Sequence, residues 1–194
     1  MKRTHLKALS AGLIAVAVVA CSQTPSSSST TAGDTAAPAA TPVASVSGDE
    51  RAIEQKNLVT FDDLDFNVFS NRKWDELSHS HAKDILVHWP DGHTTSGIDV
   101  HIADLEKMFV YAPDTRIKVH PHKIAQGNLT AVSGIMEGTF TKPMPLGDGK
   151  FAQPTGKAFK LPMATIGRWE NGVMQEEWLY WDNQTYMAQL GLGK

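Results

Sequence analysis

The hydrophobic periodicity of the chain changes once, near Pro113, from helical spacing to the alternation typical of strands. Before that point, apolar residues recur every three or four positions over residues 50–69 and 98–109, which predicts two amphipathic helices. A shorter helix, with Asn71 as its N-cap, is predicted over residues 74–80. Apart from one short closing segment, all predicted helices therefore precede the main run of strands.

The second half of the chain is predicted to be mostly strand, and Glu170-Asn171-Gly172 is a strong signal for a tight hairpin. Helices followed by long antiparallel strands form the α+β pattern, in which a single sheet curls around the helices to close a core. We therefore predict an α+β fold with a curved sheet and a cone-shaped cavity suited to a small molecule. The predicted strands are 85–89, 115–125, 129–140, 157–169 and 173–181, and a last helix is predicted over 183–190.

The N-terminus has the features of a bacterial lipoprotein signal. Positive residues precede an apolar stretch over 9–20, which is too short to span a bilayer but has the length of a signal-peptide core. The stretch ends in Val18-Val19-Ala20-Cys21, a lipobox, and Cys21 is the only cysteine of the chain. We predict a signal peptide over residues 1–20 and lipidation of Cys21. The alternative is an ordinary secretory signal in which this cysteine has no role.

Residues 21–48 are predicted to be a disordered tether, because they are mostly Ser, Thr, Ala, Pro and Gly, with Asp34 as the only charge. With Cys21 lipidated, we expect a lipid-anchored protein of the cell envelope. Because Ser22 rather than Asp follows the cysteine, the expected location in a cell with two membranes is the outer membrane, facing the periplasm. Residues 49–194 are enough for one domain. The net charge of −3 and the scattered Lys and Arg argue against a nucleic-acid partner.

Several short segments of the domain form a recognisable series. They are His88-Trp89-Pro90-Asp91-Gly92 with Gly97 and His101, then Gly138-Thr139-Phe140-Thr141 and Pro154-Thr155-Gly156-Lys157, and finally Arg168-Trp169, Asn171-Gly172, Glu176, Trp178 and Asp182. This series resembles the signatures of the SnoaL-like polyketide cyclases. The resemblance extends over residues 54–192, and the number and order of the segments make it specific.

The resemblance implies a fold, a reaction and a set of residues. The fold is that of nuclear transport factor 2, a cone of curved sheet and helices. The reaction is an intramolecular aldol ring closure on a polyketide ester, which needs neither a metal nor an organic cofactor. By its position on the closing strand, Asp182 corresponds to the aspartate that moves the proton. In some members of the family a histidine assists, and His88 and His101 are the nearest candidates for that role here. One departure is the predicted export, since polyketide cyclases act in the cytoplasm beside their synthases.

The last strand carries the acids and aromatic residues of the predicted site. Alternation places four side chains on one face: Glu176, Trp178, Tyr180 and Asp182. This mixture suits a pocket wall, so Glu176, Trp178 and Tyr180 are predicted to bind substrate. Desolvation against the aromatic rings would raise the pKa of Asp182 and suit it to proton transfer. Two alternatives stay open, in which Asp182 is the N-cap of the last helix and Glu176 forms an ion pair with Arg168.

The two candidate histidines occupy different elements. His101 lies beside the apolar stripe of the helix over 98–109 and is expected to point inward, and His88 lies on a strand whose faces are both apolar. A neutral imidazole at either position would donate a hydrogen bond to a developing enolate oxygen. The alternative for each is a hydrogen-bonded core histidine.

Two His-x-His pairs, His79/His81 and His120/His122, raise the question of a metal. Pro121 interrupts the second pair, and no third ligand follows either pair at a suitable spacing. A mixed site formed by both pairs is an alternative that the sequence leaves open. We predict no metal site.

The sequence thus supports two functions of different classes. The first is a cofactor-free enzyme that acts on a small carbonyl compound by acid/base aldol-type cyclisation or isomerisation. The second is a non-catalytic lipoprotein that binds a small apolar or aromatic ligand. A third alternative is an interaction module that forms a homodimer through the open face of the sheet.

Overall fold

The computed structural model describes residues 47–193. The predicted signal peptide, the predicted acylation site Cys21 and nearly all of the predicted tether lie outside these residues. Within residues 47–193, none of the helices has the length and apolar character that a membrane span requires.

The first helix, α1 (Gly48–Asp63), begins at a capping box. The Ser47 hydroxyl accepts a hydrogen bond from the Glu50 amide at 3.1 Å, and the Glu50 carboxylate accepts one from the Ser47 amide at 2.9 Å. The helix continues directly into a π-helical turn over Leu64–Phe69. The predicted helix over 50–69 is therefore present, and its last part is wound more widely than an α-helix.

A short 3₁₀-helix, Trp74–His79, replaces the second predicted helix. The prediction that Asn71 caps it is wrong, because the helix follows Lys73, whose side chain makes no capping hydrogen bond. Asn71 instead donates from Nδ2 to the carbonyls of Phe66 and Asn67, at 3.3 and 2.8 Å. It therefore closes the end of the π-helical turn.

The helix α2 (Ile98–Tyr111) confirms the predicted helix over 98–109 and extends it by two residues. It starts directly after Gly97, which has a φ of +97°, a backbone conformation that only glycine adopts at little cost. The last helix, α3 (Asn183–Gln189), follows the final strand. The residues that α2 buries are His101, Leu105, Met108 and Phe109.

Seven strands form one curved sheet, in the order β2-β1-β9-β8-β5-β3, with β4 also pairing with β5. Within this sheet, β1 and β9 pair in parallel, and the other described pairs are antiparallel. Two further strands, β6 and β7, form a separate hairpin. The strands are β1 (His81–His88), β2 (Thr94–Ser96), β3 (Arg116–Ile117), β4 (His122–Gln126), β5 (Leu129–Thr139), β6 (Met144–Gly147), β7 (Lys150–Ala152), β8 (Ala158–Glu170) and β9 (Val173–Trp181).

The strand predicted over 115–125 is split into β3 and β4, and this corrects the sequence interpretation. Pro121 lies in the break, and it has no amide N–H to donate to a ladder. The side chain of His120 turns inward at the same place and bonds to carboxylates of the helical layer. Both short strands still pair with β5, so the sheet remains continuous.

The core lies between the helical layer and the inner face of the sheet. Its members are apolar side chains from α1, the π-helical turn, α2 and the four central strands, as predicted for an α+β fold. They include Phe61, Val68, Ile85, Val87, Phe109, Met136, Phe159 and Leu161, each at most 4 % exposed.

We predict that Gly138→Ala destabilises the domain by about 1–3 kcal/mol, the usual cost of overpacking a core. A Cβ at Gly138 would lie 2.8 and 2.9 Å from two carbons of the buried Phe159 ring. Gly134→Ala on the same strand is the control, because its nearest contacts are at 3.4 Å and the loss of unfolded-state entropy offsets them. Urea unfolding of both variants measures the difference. Equal stability of the two variants would contradict the packing of β5 on β8.

Candidate active site

A cavity of about 40 Å³ lies between the helical layer and the inner face of the sheet. This volume accommodates two or three water molecules at about 10–15 Å³ each, and is far below the roughly 150 Å³ of an engineered cavity that binds benzene. Three methionines in the wall, Met108, Met136 and Met163, are the side chains most able to adapt to a larger guest. The cavity therefore fits a small group as it stands and a larger one only after the wall has moved.

His81, His101 and Glu177 form the polar end of the cavity and are called here the buried triad. Their side chains are 1, 3 and 5 % exposed. Glu177 Oε2 lies 3.4 Å from His101 Nε2 and 3.7 Å from His81 Nε2, and the two imidazole rings stack with centroids 5.2 Å apart. Three atoms, His81 Nε2, His101 Nδ1 and Glu177 Oε2, have no hydrogen-bond partner among the described residues. Buried polar atoms without partners are rare in stable folds and require a functional explanation.

Three separate elements bring the buried triad together. His81 is the first residue of β1, Glu177 lies on the inner face of the neighbouring strand β9, and His101 lies near the start of α2. Met174, three residues before Glu177, also points inward, because an irregularity in the β8–β9 register interrupts the alternation. Such bulges turn side chains toward functional sites in many sheets.

A hydrogen bond fixes the tautomer of His81. The Ser80 hydroxyl donates its single proton to the Leu77 carbonyl at 3.1 Å, so its oxygen is left to accept from His81 Nδ1 at 2.8 Å. Nδ1 therefore carries a proton, and in the neutral imidazole the lone pair is on Nε2. That lone pair faces the carboxylate of Glu177.

Burial determines the charge of His101, and the two neighbouring histidines determine that of Glu177. Burial lowers the pKa of His101 to about 4, despite the opposing charge of Glu177, so this imidazole is neutral at physiological pH. Burial alone would raise the pKa of Glu177, but the two histidines outweigh it and lower that pKa, so the carboxyl group is ionised. The buried triad thus brings a carboxylate and a neutral imidazole into an apolar interior.

Asp65, on the π-helical turn, adds a second polar group to the cavity wall. Its Oδ2 accepts a hydrogen bond from His120 Nε2 at 2.8 Å, and His120 Nδ1 bonds to Asp62 Oδ1, also at 2.8 Å. Burial opposes protonation of His120, but the two carboxylates raise its pKa. Burial also raises the pKa of Asp65, against the effect of His120. Asp65 and His120 together therefore hold their protons to a higher pH than isolated groups would.

Asp182, the predicted proton-transfer residue, does not lie in this cavity. It is exposed and caps α3, since its carboxylate accepts the amides of Gln184 and Thr185 at 2.8 and 3.1 Å and the Thr185 hydroxyl at 2.8 Å. Hydrogen bonds from Thr185 and Gln184 lower its pKa, which is opposite to the predicted direction. The alternative in which Asp182 is the N-cap of the last helix is therefore the correct one. Among the described residues, Asp182 lines shallow surface clefts.

The other residues predicted for the site, His88, Glu176, Trp178 and Tyr180, lie on the outer side of the sheet. Their predicted placement in the cavity wall was therefore wrong. His88 stacks on Trp178 with centroids 5.2 Å apart, and its Nε2 bonds to Glu176 Oε1 at 2.9 Å. Glu176 also accepts from Arg168 Nε at 3.2 Å, which is the ion pair kept as an alternative. Tyr180 is 50 % exposed. The predicted alternation of side chains along β9 was correct. The helices, however, cover the face that carries Glu177, not the face that carries Glu176.

Among the residues that the resemblance nominated, His101 is the one that the structure places in the cavity wall. Its catalytic role stays a prediction. The His-x-His pairs are each split: His81 and His120 turn inward, whereas His79 and His122 are exposed. No spacing along the chain links His81 to His101 and Glu177, because each residue lies on a different element.

The sequence profile of the SnoaL-like polyketide cyclases matches residues 51–190. The chain belongs to this family. Its fold, with helices at the N-terminus and a curved open sheet, is the predicted fold of nuclear transport factor 2. No curated protein matches the sequence.

Solved structures with the same fold cover most of the SnoaL-like domain. A proposed SnoaL-like polyketide cyclase from Jannaschia sp. CCS1 has 19 % identity and a TM-score of 0.63, over 73 % of this chain and 96 % of that one. IdmH from Streptomyces antibioticus, a proposed polyketide cyclase, has 23 % identity and a TM-score of 0.60, over 70 % and 98 %. A proposed polyketide cyclase from Xanthomonas campestris pv. campestris has 16 % identity and a TM-score of 0.61, over 71 % and 98 %. At these identities the likeness establishes the fold alone.

We predict that His120 stabilises the domain more at low pH than at high pH. Its pKa is raised on folding, so the stabilisation is complete below the ordinary value of about 6.5 and is lost as the pH rises through the folded-state pKa. The unfolding free energy of the wild-type chain minus that of His120→Gln should therefore fall between neutral and alkaline pH. His122→Gln, at an exposed position two residues further on, serves as the control for the change of residue type. A difference that stays constant or grows for His120→Gln would contradict the Asp62–His120–Asp65 arrangement.

Proposed function

We propose that the SnoaL-like domain is an enzyme that moves a proton at the carbon beside a carbonyl group, in an aldol-type cyclisation or an isomerisation of a small molecule. One observation carries this proposal. A single small apolar cavity is lined by a carboxyl group of raised pKa, Asp65, and by the partly unpaired buried triad. Perturbed ionisable groups that converge in a cleft are the usual signature of an acid/base site.

Asp65 is assigned the role of general acid/base. Its Oδ2 is bonded to His120, which leaves Oδ1 as the oxygen that meets a molecule in the cavity. Asp65 accepts the proton as the C–H bond breaks, and the bonding electrons move to the carbonyl oxygen as an enolate forms. The enolate carbon then attacks a second carbonyl carbon, whose oxygen takes the proton from Asp65 as the ring closes. In a substrate with a conjugated C=C bond, a dienolate instead takes the proton from Asp65 at another carbon, which completes an isomerisation. A carboxyl group of raised pKa suits both directions of the transfer near neutral pH.

The buried triad is assigned the role of holding and stabilising the carbonyl oxygen of the substrate. His101 is neutral, and a neutral imidazole N–H stabilises an enolate oxygen without transferring its proton fully. The triad and Asp65 are within electrostatic range across the cavity, since burial raises the pKa of Asp65 and the charge of Glu177 raises it further. A carbonyl compound held between them would have its oxygen at one polar end and its acidic C–H bond at the other.

The volume of the cavity favours this enzyme over the alternative, a passive binder of an aromatic ligand. A space of about 40 Å³ is smaller than a benzene-sized guest needs, and its polar end would leave unpaired groups against an apolar ring. The same volume favours a substrate that places only its reacting carbonyl group inside.

Asp65→Asn tests the proposed role of Asp65. The probe is a panel of small ketones and β-keto esters in D₂O, and the measurement is the enzyme-dependent exchange of α-protons followed by ¹H NMR. We expect exchange with the wild-type chain for at least one probe, and a decrease of about 10²–10⁴-fold in Asp65→Asn, the usual contribution of a general acid/base.

Asp63→Asn is the matched control, because Asp63 is an exposed acid two residues earlier on the same helical segment. It should exchange α-protons at the wild-type rate. Full activity of Asp65→Asn, combined with loss of activity in Asp182→Asn, would overturn the proposal and restore the assignment made by resemblance.

We also infer that Cys21 is acylated and anchors the protein to the cell envelope. The lipobox over residues 18–21 supports this inference. Acyl chains supply the membrane affinity, at about 0.8 kcal/mol per buried methylene.

Metabolic labelling with a radioactive fatty acid tests the anchor. We expect label on the wild-type chain, and both loss of label and release from the membrane fraction in Cys21→Ser. Ser22→Ala, the neighbouring substitution, should keep the label. An unlabelled wild-type chain would show that the N-terminus is an ordinary secretory signal.

A further inference from the structure

The buried triad has the spacing of a metal site. Zn²⁺ binds nitrogen and oxygen ligands at about 2.0–2.2 Å in tetrahedral geometry, which places neighbouring ligand atoms roughly 3.3–3.6 Å apart. Glu177 Oε2 is 3.4 Å from His101 Nε2 and 3.7 Å from His81 Nε2. One ligand atom from each of the three residues lies within 4.8 Å of the other two. Movements of about one ångström in the rings would therefore bring all three ligand atoms within bonding distance of one ion.

The chemistry of the donor atoms agrees with this spacing. The Ser80 hydroxyl fixes a proton on His81 Nδ1, so the lone pair of Nε2 points at the triad. A metal-bound histidine typically has its other nitrogen held by such an outer partner. Two imidazoles and one carboxylate form the 2-His-1-carboxylate set that divalent first-row transition metals favour.

The protein itself supplies no alternative partner for these atoms among the described residues. The separations of 3.4 and 3.7 Å exceed the 2.7–3.2 Å typical of a hydrogen bond, and His81 Nε2 and Glu177 Oε2 are both unpaired. A lone pair that faces a carboxylate in an apolar interior is unfavourable unless a positive charge lies between them.

We propose that the buried triad, His81, His101 and Glu177, binds one divalent first-row transition-metal ion. The three ligands leave coordination positions open on the side of the cavity, which has room for two or three water molecules or for one carbonyl oxygen. If the proposed function holds, the ion would polarise that carbonyl oxygen in place of the His101 N–H. The binding itself does not depend on the proposed function. This inference replaces the expectation, drawn from sequence alone, that the domain has no metal site.

Direct binding of Zn²⁺ and Co²⁺ to the full chain is the test. The purified chain is stripped with a chelator and titrated with ZnCl₂ by calorimetry, and we expect one high-affinity site. Glu177→Gln and His101→Gln should each weaken that site by at least about 100-fold, because loss of even an outer partner costs roughly 10–100-fold. His79→Gln and His122→Gln are the matched controls, since these exposed histidines belong to the same His-x-His pairs, and they should bind like the wild type.

The absorption spectrum of the Co²⁺-loaded chain is the second measurement, and it does not require that any variant folds. We expect the ligand-field bands of a site with nitrogen and oxygen ligands, without the thiolate charge-transfer band that binding at Cys21 would give. Absence of stoichiometric binding, a thiolate band, or undiminished binding in both triad variants would overturn the proposal.

The two proposals fail in different ways. Asp65→Asn should lower the rate of α-proton exchange by about 10²–10⁴-fold while it retains stoichiometric Zn²⁺ binding, because Asp65 is not among the three ligands. A chain that binds Zn²⁺ but exchanges no probe, with or without the ion, would overturn the proposed function and leave the metal site. A chain that exchanges the probe but does not bind the ion would overturn the metal site alone.

Discussion

The side chain of Glu177 is a carboxylate in the interior of a small domain. The elements around the cavity are arranged so that two histidines lie beside this buried charge. A buried charge costs several kcal/mol unless it is paired. The parallel pairing of β1 with β9 brings His81 beside it, and the start of α2 directly after Gly97 brings His101. These are long-range contacts between elements that are distant in the chain, so the polar end of the cavity forms only when the sheet and α2 have both assembled.

The fold is common to the family, whereas the small size of the cavity is a feature of this chain. The family establishes a cone of helices and curved sheet, and that cone is present. Within it, apolar side chains and three methionines reduce the interior to about 40 Å³, while the polar groups gather at the walls. A space of this size holds only a small group, so the wall would have to move before a polyketide could enter it.

Much of the fold followed from local patterns, and the errors have physical causes. Helical periodicity and hairpin chemistry located α1, α2, β5, β8 and β9, because those signals depend on neighbours in the chain. The strand predicted over 115–125 failed at Pro121, where the chain turns to bury His120 against Asp65. Alternation along β9 separated two faces correctly, but each face carries an acid and an aromatic residue. Alternation along one strand does not show which face the helices cover, because that depends on tertiary packing.

Asp182 illustrates the same limit at the level of a single residue. A favoured N-cap residue directly before a helix and a pocket acid at the end of a strand have the same local sequence. The decision depends on whether the carboxylate meets backbone amides or an apolar wall, and here it meets the amides of α3. His101, by contrast, was correctly expected to point inward, because its position beside an apolar helical stripe is determined within the helix itself.

The two polar ends of the cavity are coupled by charge, and this coupling links the proposed chemistry to the proposed ion. The negative charge of Glu177 raises the pKa of Asp65 across the cavity. A divalent cation bound to Glu177 would reverse the sign of that influence, because a bound ion is the largest local charge in a site of this size. Asp65 would then lose its proton more readily and act as a base at lower pH. The same ion that polarises a carbonyl oxygen at one end of the cavity would thus prepare the proton acceptor at the other.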